Sequence, residues 1–277
     1  PALQRLAAAW RDQLTGLRVV GVTGSVGKTS AKEVAAAVLA RRFRTFRSHG
    51  NLNNEIGLPL CLLEIASDTD VAVLEMGGAY AFGDLTLLLN GDDPRVAAMS
   101  TRAPARVVTY GLGAGNELRA SGIVDRGLAG CAFTLEIGAR SWPVGTPMVG
   151  SHVPMLALSG LAVGHALGMT PDEMIPGLAD RAAQVRVRFL PGPRGAILID
   201  DTYNASPPSV LSSLGVLAAH PAVRRVAVLG EMRELGPESE AAHRLVGARA
   251  GEVADVIVTF GDAAAPLAEV AASIDGR

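Results

Sequence analysis

The feature that most constrains the fold is a glycine-rich turn between an apolar run and a long amphipathic segment. The run LRVVGVT predicts a buried strand, and KTSAKEVAAAVLARR, which begins at Lys28, predicts a helix. A turn over residues 24–29 therefore places backbone N–H groups at the positive end of a helix, where anions bind. This strand–turn–helix unit is typical of α/β proteins with a parallel sheet.

The turn has the sequence GVTGSVGKTS and predicts a phosphate loop. We expect Lys28 to reach the terminal phosphates of a nucleotide and the Thr29 hydroxyl to bind Mg²⁺. The general pattern fails by one position, because Gly21 comes too early and Val22 stands where glycine belongs, so a glycine-rich turn with an incidental lysine is the alternative. Lysine usage argues against that alternative. Lys28 and Lys32 are the only lysines among 25 basic residues, and a compact ammonium is not interchangeable with a guanidinium.

Alternation of strands and helices continues along most of the chain. VAVLEMG and ARVVTYG predict further strands of the parallel sheet, whereas residues 117–144 alternate around glycines, which is typical of antiparallel strands. Helices are predicted at HVPMLALSGLAVGHALG and TPDEMIPGLAD, the second with Thr170 as N-cap and Pro171 at its first position. The Pro- and Gly-rich stretch FLPGPRG is predicted to be a linker, after which strands and helices alternate again.

The predicted fold class is therefore α/β with two domains. Residues 1–188 are predicted to form a P-loop domain with a mostly parallel sheet and an antiparallel strand segment. Residues 189–277 are predicted to form a Rossmann-like α/β domain.

Composition excludes several classes of protein. A net charge of −2 gives no basic field for nucleic acid. Cys61 and Cys131 are too few for a disulfide framework and lie in no metal-binding pattern. The first residues, PALQRLAAAWRDQL, lack the apolar core of a signal peptide, and no apolar run reaches the length of a membrane span. We expect a cytoplasmic protein, and the sequence indicates no oligomeric state.

Four further stretches carry candidate functional residues. HGNLNNEIGLP is rich in Asn and Gly before a helix, which also suits a polar turn. VLEMGG places Glu75 at the carboxyl end of a parallel strand, where ligands bind and where a carboxylate can hold Mg²⁺, although a lone Glu there is more often a surface group. IDDTYNASP puts two aspartates after a strand, as a helix cap also would. LGEMRELGPESEAAHRLVG gathers acids near a helix start, which the helix dipole alone explains.

Together with the phosphate loop, these stretches resemble the Mur ligase family of ATP-dependent amide ligases. The resemblance rests on VTGSVGKTS, GNLNNEIGLP, EMG, IDDTYNASP and LGEMRELGPESEAAHRLVG and extends from about Leu17 to Leu267. The last two stretches are most similar to the MurF type, which joins UDP-N-acetylmuramoyl-tripeptide to D-alanyl-D-alanine. The resemblance therefore implies these two small-molecule substrates, with ATP and Mg²⁺ as cofactors.

The resemblance also implies a mechanism and a set of site residues. In such ligases a substrate carboxylate attacks the γ-phosphate of ATP, and the incoming amine displaces phosphate from the acyl phosphate. The implied catalytic residues are Lys28, Glu75 and Arg186, and the implied Mg²⁺ ligands are Thr29 and Glu75. The implied nucleotide-binding residues are Thr23, Gly24, Ser25, Gly27, Lys28, Thr29, Ser30, Asn53, Asn54, His152, Arg186, Asp201, Tyr203 and Asn204.

The sequence departs from the family pattern inside the first domain. After EMG the family continues through a T-N-V-G-x-x-H-L stretch and an A-K-x-E helix, whose His binds a second Mg²⁺ and whose Lys is carbamylated. Here EMGGAYAFGDLTLLLNGDDPRV runs almost directly into the following N-G-D-D-P turn, so we expect a shortening of several tens of residues near residues 88–91. Neither Lys28 nor Lys32 can replace the carbamylated lysine, because both lie on the P-loop helix.

Further departures lie elsewhere in the chain. Leu156 stands where the family usually has the Asn that reads adenine, and a leucine cannot make those hydrogen bonds. The sequence begins just before the P-loop strand and ends early. We therefore expect it to lack the family's N-terminal UDP-binding domain and the end of its C-terminal domain.

Three functions remain open on these residues. The first is a MurF-type ligase whose sequence lacks the segment after about Leu88. The second is a degenerate homologue that binds nucleotide or a partner without ligating. The third is a generic P-loop ATPase, which the downstream motifs disfavour. We predict the ligase, with the degenerate homologue as the alternative.

Overall fold

The computed structural model describes residues 2–24, 27–50, 52–77, 86–102, 105–180, 187–202 and 204–274. The chain divides into two compact units. Unit 1 comprises Pro1–Val124, Cys131–Met148 and Val153–Val185, and unit 2 comprises Asp125–Gly130, Val149–His152 and Arg186–Arg277. Both units combine helices with sheets, as the predicted α/β class requires, while the predicted division after residue 188 stays a prediction.

Six helices and eight strands come before the hairpin that starts at residue 188. The helices are α1 (Ala2–Gln13), α2 (Lys28–Leu39), α3 (Gly57–Leu63), α4 (Pro94–Ala97), α5 (Val153–Ala166) and α6 (Pro171–Met174). The strands are β1 (Arg18–Val22), β2 (Thr45–Arg47), β3 (Val71–Glu75), β4 (Thr86–Asn90), β5 (Arg106–Gly111), β6 (Leu118–Asp125), β7 (Cys131–Ile137) and β8 (Arg140–Thr146). The remaining elements are β9 (Arg188–Pro191), β10 (Ile197–Asp200), α7 (Pro207–Ala219), β11 (Val226–Gly230), α8 (Ser239–Val253), β12 (Val256–Phe260) and α9 (Ala265–Ser273). These counts refer to the described residues.

The first sheet of unit 1 is parallel and has the strand order β1-β3-β2. Every residue of the central strand β3 is buried, which explains its uninterrupted apolar sequence VAVLE up to Glu75. Val22 pairs with Glu75, so β1 and β3 end side by side. The carboxyl ends of these strands therefore bring Glu75 to the turn that leads into α2.

The second sheet of unit 1 has the order β4-β5-β6-β7-β8. β4 and β5 are parallel, and β7 and β8 form the antiparallel hairpin expected within residues 117–144. We expected ARVVTYG to extend the first sheet, but in the described residues its strand β5 pairs with β4 and β6 instead. Alternation of strands and helices predicts the type of an element, but it does not predict which strand lies next to it in the sheet.

One hydrophobic core serves both sheets of unit 1. Helices α2 and α5 pack against each other and contribute Val34, Val38, Leu158 and Leu161 to a cluster that also contains Val108 of β5. Their close approach depends on a glycine in α5. A Cβ at Gly160 would lie 2.7 Å from Cγ1 of Val34.

Proline limits the second helix predicted in unit 1. Thr170 caps it as expected, since its backbone N–H donates to Glu173 at 2.7 Å within a capping box. The expected continuation to Asp180 is wrong, because α6 ends at Met174 and a 3₁₀ turn follows over Ile175–Ala179. Pro176 lies in that turn and has no N–H to extend an α-helix.

Unit 2 contains a parallel pair, β11 and β12, and three helices. Leu214, Ala227, Val246 and Leu267 form its hydrophobic core. The stretch FLPGPRG was predicted to be a linker, and that prediction is wrong. It forms most of an antiparallel hairpin in which β9 pairs with β10 through a turn at residues 193–195.

Two features of the described residues concern the cysteines and the prediction that no segment spans a membrane. Cys61 and Cys131 are both buried. Among the residues that the structure describes, no helix is long and apolar enough to cross a membrane.

Candidate functional site

The described residues on either side of the turn before α2 suit an anion site. Gly27 precedes the helix in the left-handed conformation, with φ of 81°, a conformation that favours glycine. The ammonium of Lys28 donates to the carbonyl of Gly24 at 2.8 Å, so the lysine lies back over the turn. Thr23 and Gly24 are exposed, while Ser30 is buried on the helix side. Ser25 lies outside the described residues.

Glu75 lies deep at the end of β3, with 2% of its surface exposed. Its Oε2 accepts a hydrogen bond from the hydroxyl of Thr29 at 2.8 Å, and its Oε1 accepts one from the amide of Asn53 at 2.9 Å. Both donors are neutral. Since a buried charge is costly without an opposite charge, this carboxylate is a strong candidate for holding a cation.

The two candidate asparagines do different things. Asn53 binds Glu75, and its backbone carbonyl accepts the N–H of Gly77 at 2.8 Å, which fixes it against the end of β3. Asn54 turns to the start of α3, where its Oδ1 accepts the N–H groups of Ile56 and Gly57. Asn54 therefore satisfies a turn, and Asn53 alone joins the cluster at Glu75.

Sequence analysis missed two residues that support this cluster. The hydroxyl of Ser48 accepts the backbone N–H of Glu75 at 3.0 Å. Lys32 is completely buried and donates to the carbonyl of Ser48 at 2.6 Å. A signal was present, since Lys32 is the second of only two lysines, whereas nothing in the sequence distinguishes Ser48.

One residue at the start of α2 and one at the carboxyl end of β3 suit Mg²⁺. Thr29 and Glu75 offer hard oxygen donors 2.8 Å apart. Mg²⁺ in phosphate sites commonly takes one or two protein carboxylates and completes its shell with waters and phosphate oxygens. Among the described residues there is no group of three or more His, Cys, Asp and Glu side chains that could hold a metal by itself. The donor set therefore fits a metal that arrives with a phosphate ligand.

In unit 2 one carboxylate oxygen of the candidate Asp201 has no described hydrogen-bond partner. Oδ2 of Asp201 accepts a hydrogen bond from Ser213 at 2.7 Å, whereas Oδ1 is buried and has no hydrogen-bond partner in the described structure. Such an atom suits a ligand hydroxyl. Asn204 is exposed, and its Oδ1 accepts the N–H of Ala205 at 2.9 Å. Tyr203 lies outside the described residues.

The remaining candidate residues divide between the two units. In unit 2, Nδ1 of His152 lies 3.0 Å from the hydroxyl of Ser212, which also borders a cavity. The cavity has a volume of about 350 Å³ and is lined in part by Gly150, Ser151, Ser212, Gly215 and His220. In unit 1, Leu156 packs against the hydrophobic core. Arg186 lies outside the described residues.

The acidic stretch after β11 is organised by a histidine. Nε2 of the fully buried His243 accepts the N–H of Met232 at 2.9 Å, and its Nδ1 contacts the carbonyl of Ser239 at 2.7 Å. Glu231 forms an ion pair with Arg233 at 2.9 Å. Hydrogen bonds from Arg233, and then from the N–H of Ala263, hold the pKa of Glu231 below its usual value. This turn is thus internally satisfied.

Two protein-family models match the chain. The Mur ligase middle domain matches residues 22–84, and the Mur ligase glutamate ligase domain matches residues 185–277. The first match includes the turn before α2, Asn53 and Glu75. The second includes Asp201 and Asn204.

Curated relatives are similar over most of the chain. A UDP-N-acetylmuramoyl-tripeptide--D-alanyl-D-alanine ligase of Synechocystis is 31% identical over 90% of the chain and 62% of its own length. The enzyme of the same name from Bacillus subtilis is 30% identical over 97% of the chain and 68% of its own length. The chain thus spans roughly two thirds of the length of these relatives.

Solved structures give the same result. MurF from Acinetobacter baumannii superposes with a TM-score of 0.87 at 27% identity, covering 99% of this chain and 70% of that one. MurF of Thermotoga maritima, solved in complex with ADP, superposes with a TM-score of 0.80 at 24% identity, covering 96% of this chain and 73% of that one. The second likeness concerns the fold alone.

The alignments are longer than the part of the chain that they cover. They run over 294 and 313 positions, yet they cover 90% and 97% of a chain of 277 residues. About 45 positions within the aligned regions of the two relatives therefore have no counterpart here. A gap of this size is what the predicted shortening requires. In the structure β4 runs through Leu88 into a turn where the N–H of Gly91 donates to Tyr110, and the placement of the shortening at residues 88–91 stays a prediction.

Proposed function

Because the chain belongs to the Mur ligase family, we propose that it binds Mg·ATP at the turn between β1 and α2 and uses it to form an amide bond. We propose that its substrates are UDP-N-acetylmuramoyl-tripeptide and D-alanyl-D-alanine, which the names of its relatives specify. The observation that carries the proposal is Glu75, a buried carboxylate at the phosphate-loop helix that contacts only the neutral donors Thr29 and Asn53 in its described hydrogen bonds.

In this proposal the phosphate end of ATP lies at the start of α2. Backbone N–H groups of the turn and the ammonium of Lys28 bind the terminal phosphates, which the helix end favours. Lys28 exchanges its bond to the carbonyl of Gly24 for one to a phosphate oxygen. Thr29 and Glu75 hold Mg²⁺, which neutralises phosphate charge when bound.

The ribose and base are assigned to residues of the second half of the chain. Asp201 has the acceptor for a ribose hydroxyl in its unpartnered Oδ1. His152, Arg186, Tyr203 and Asn204 are proposed to complete the nucleotide site. This assignment rests on the family resemblance and, for Asp201, on the unpartnered oxygen.

The reaction proposed is a phosphoryl transfer followed by an acyl transfer. The carboxylate of the peptide substrate attacks the γ-phosphate and releases ADP, and the amine of the second substrate then displaces phosphate. The residues at the turn supply positioning and charge stabilisation, which carry most of the catalysis in phosphoryl transfer. An enzyme that consumes ATP and a UDP-linked sugar works in the cytoplasm, where we place this activity.

A second candidate function is nucleotide binding without ligation. It is favoured by the positions of the two lysines. Lys28 binds the carbonyl of Gly24 in the turn, and Lys32 is buried against the carbonyls of Ser48 and Gly50. Neither is available to become the carbamylated lysine of the family.

Calorimetry followed by a phosphate-release assay separates these functions. We expect ATP with Mg²⁺ to bind the whole chain, and the variant Lys28→Ala to bind at least about tenfold more weakly, because a charge-assisted contact to phosphate is lost. Phosphate release that requires both peptide substrates would support ligation. Binding without such release would support the nucleotide-binding module, and absence of binding in the parent chain would refute both.

A further inference from the structure

The second lysine of the chain is buried where a lysine is costly. Lys32 lies on α2, four residues after Lys28, and none of its surface is exposed. Burying an ammonium is unfavourable unless all of its charge and hydrogen-bonding capacity is matched. Among 25 basic residues only two are lysines, so retention of a lysine here indicates a requirement that neither an arginine nor an apolar side chain meets.

The contacts of Lys32 define that requirement. Its Nζ donates to the carbonyls of Ser48 and Gly50, at 2.6 and 3.0 Å, and lies 3.3 Å from a carboxylate oxygen of Glu33. These three contacts match the three donors of an ammonium. The other oxygen of Glu33 binds Arg47 at 3.0 Å, so the two cations share one carboxylate, and the buried ammonium of Lys32 is directed to protein oxygens. Lys32 is therefore not a phosphate ligand.

The segment that Lys32 holds leads directly to the metal end of the site. The N–H of Ser48 donates to the carbonyl of Val73 on β3, and the hydroxyl of Ser48 accepts the N–H of Glu75. Five residues further along, Asn53 binds the carboxylate of Glu75 and accepts the N–H of Gly77. Ser48 and Asn53 thus both bind the end of β3.

We propose that Lys32 is a positioning residue whose buried ammonium ties Ser48 and Gly50 to α2 and so sets Glu75 and Asn53 for a metal-bound nucleotide. The metal end of this statement rests on the proposed function. The physical reason is that point-like ammonium donors can meet two carbonyls and a carboxylate at once. The planar fork of an arginine has a different shape and needs more room.

Two variants on α2 test the proposal. Lys32→Met keeps an unbranched side chain that is one atom shorter and removes the ammonium donors. Leu39→Ala is the matched control, because Leu39 is also fully buried on α2 but belongs to the hydrophobic core. Both changes are expected to lower the unfolding temperature, and only Lys32→Met is expected to disturb Glu75 and Asn53.

The first readout is calorimetry of ATP binding to the whole chain, with Mg²⁺ and with a chelator. For Lys32→Met we expect Mg·ATP affinity to fall about tenfold or more, as when residues supporting a metal ligand are removed, with less than about a twofold change for ATP alone. Leu39→Ala is expected to leave the ratio of the two affinities unchanged. An unchanged ratio in Lys32→Met would overturn the proposal.

The second readout needs no nucleotide and separates this inference from the proposed function. Amide hydrogen exchange in a peptide covering residues 46–57 is expected to be at least about tenfold faster in Lys32→Met than in Leu39→Ala, because the segment loses its tie to α2. If the parent chain fails to bind Mg·ATP, the proposed function is refuted. The exchange measurement alone then tests whether Lys32 holds the segment. Equal exchange in the two variants would then refute a role for Lys32 in holding the segment.

A milder variant tests the proposal if Lys32→Met does not fold. Ser48→Ala removes the hydroxyl that accepts the N–H of Glu75 and leaves the lysine in place. The same selective loss of Mg·ATP affinity is expected. Lys32→Arg is the last variant. Because a guanidinium does not fit the three contacts, we expect it to recover less than half of the Mg·ATP affinity that Lys32→Met loses. Full restoration by arginine would contradict the requirement for a point-like ammonium.

Discussion

Two glutamates at the carboxyl ends of parallel strands have opposite surroundings. Glu75 ends β3, is almost fully buried, and accepts hydrogen bonds from the hydroxyl of Thr29 and the amide of Asn53. Glu231 directly follows β11, forms an ion pair with Arg233, and has its pKa lowered by that arginine and by the N–H of Ala263. The two glutamates occupy similar positions in the topology, but only Glu231 has a cationic side chain as a described partner.

The difference shows what distinguishes a candidate cation site from an ion pair at the end of a strand. A carboxylate at a strand end carries little information by itself, since many serve as surface groups or ion-pair partners. Burial with neutral donors leaves the charge of Glu75 uncompensated, whereas Arg233 already neutralises Glu231. The proposed phosphate loop beside Glu75 would bind the anion that such a cation bridges.

The largest effect is expected from neutralising the buried glutamate. Glu75→Gln is nearly isosteric and removes the charge, so Mg·ATP affinity should fall by roughly a hundredfold, at the upper end of losses at metal sites. Isothermal calorimetry measures it. Glu231→Gln is the matched control and should change the affinity by less than about twofold, because its carboxylate already has a cationic partner. Equal losses in both variants would break the comparison.

A smaller effect is expected at the aspartate with the unpartnered oxygen. Asp201→Asn should weaken nucleotide binding by about tenfold, whether or not Mg²⁺ is present, because a charge-assisted hydrogen bond to a ligand hydroxyl becomes a neutral one. Calorimetry with and without a chelator measures the two affinities. A loss confined to Mg·ATP would place Asp201 at the metal rather than at the ribose.

Loss of affinity must be separated from loss of stability. Gly160→Ala introduces a Cβ that would lie 2.7 Å from Val34, so α5 must move away from α2 at a cost of about 1–3 kcal/mol in the free energy of unfolding. Denaturant unfolding measures this cost. Gly215→Ala on α7 is the control, since its Cβ meets nothing within 4 Å. If Gly160→Ala reduced Mg·ATP affinity as much as Glu75→Gln, the charge of Glu75 would not be the cause.

The smallest effect concerns pH. Because the pKa of Glu231 lies below its usual value, its ion pair stabilises the fold above the pKa of the unfolded chain. That stabilisation disappears as pH falls through the lowered pKa. We therefore expect Glu231→Gln to unfold at a lower temperature than the parent at pH 7, with a difference that shrinks as pH falls below the usual pKa of a glutamate. A difference that persisted in acid would assign the effect to packing instead.

Much of the site follows from the sequence, and what does not depends on contacts distant in the chain. Thr29 and Glu75 were predicted to meet, and they do, because adjacent parallel strands end at one edge of a sheet. Asn54 was predicted at the nucleotide, which stays a prediction. Its Oδ1 accepts the N–H of Gly57 at the start of α3, a contact that motif spacing does not reveal. Lys32 and Ser48 were missed because their roles depend on a contact across 16 residues.

The fold shows the same limit. The strand at ARVVTYG was predicted correctly, while its neighbour in the sheet was not. The stretch FLPGPRG has the composition of a linker, yet its Pro–Arg–Gly turn closes a hairpin because the flanking apolar residues pair. Composition predicts where the chain bends, and pairing decides whether the bend joins two strands.

The most direct test of the account is the gain in ATP affinity that Mg²⁺ produces, measured by calorimetry on the parent chain and on Glu75→Gln. The account predicts that Mg²⁺ tightens ATP binding by at least about tenfold in the parent and has almost no effect in the variant, because the buried carboxylate is the main protein ligand. An equal gain in both chains, or no gain in the parent, would contradict it.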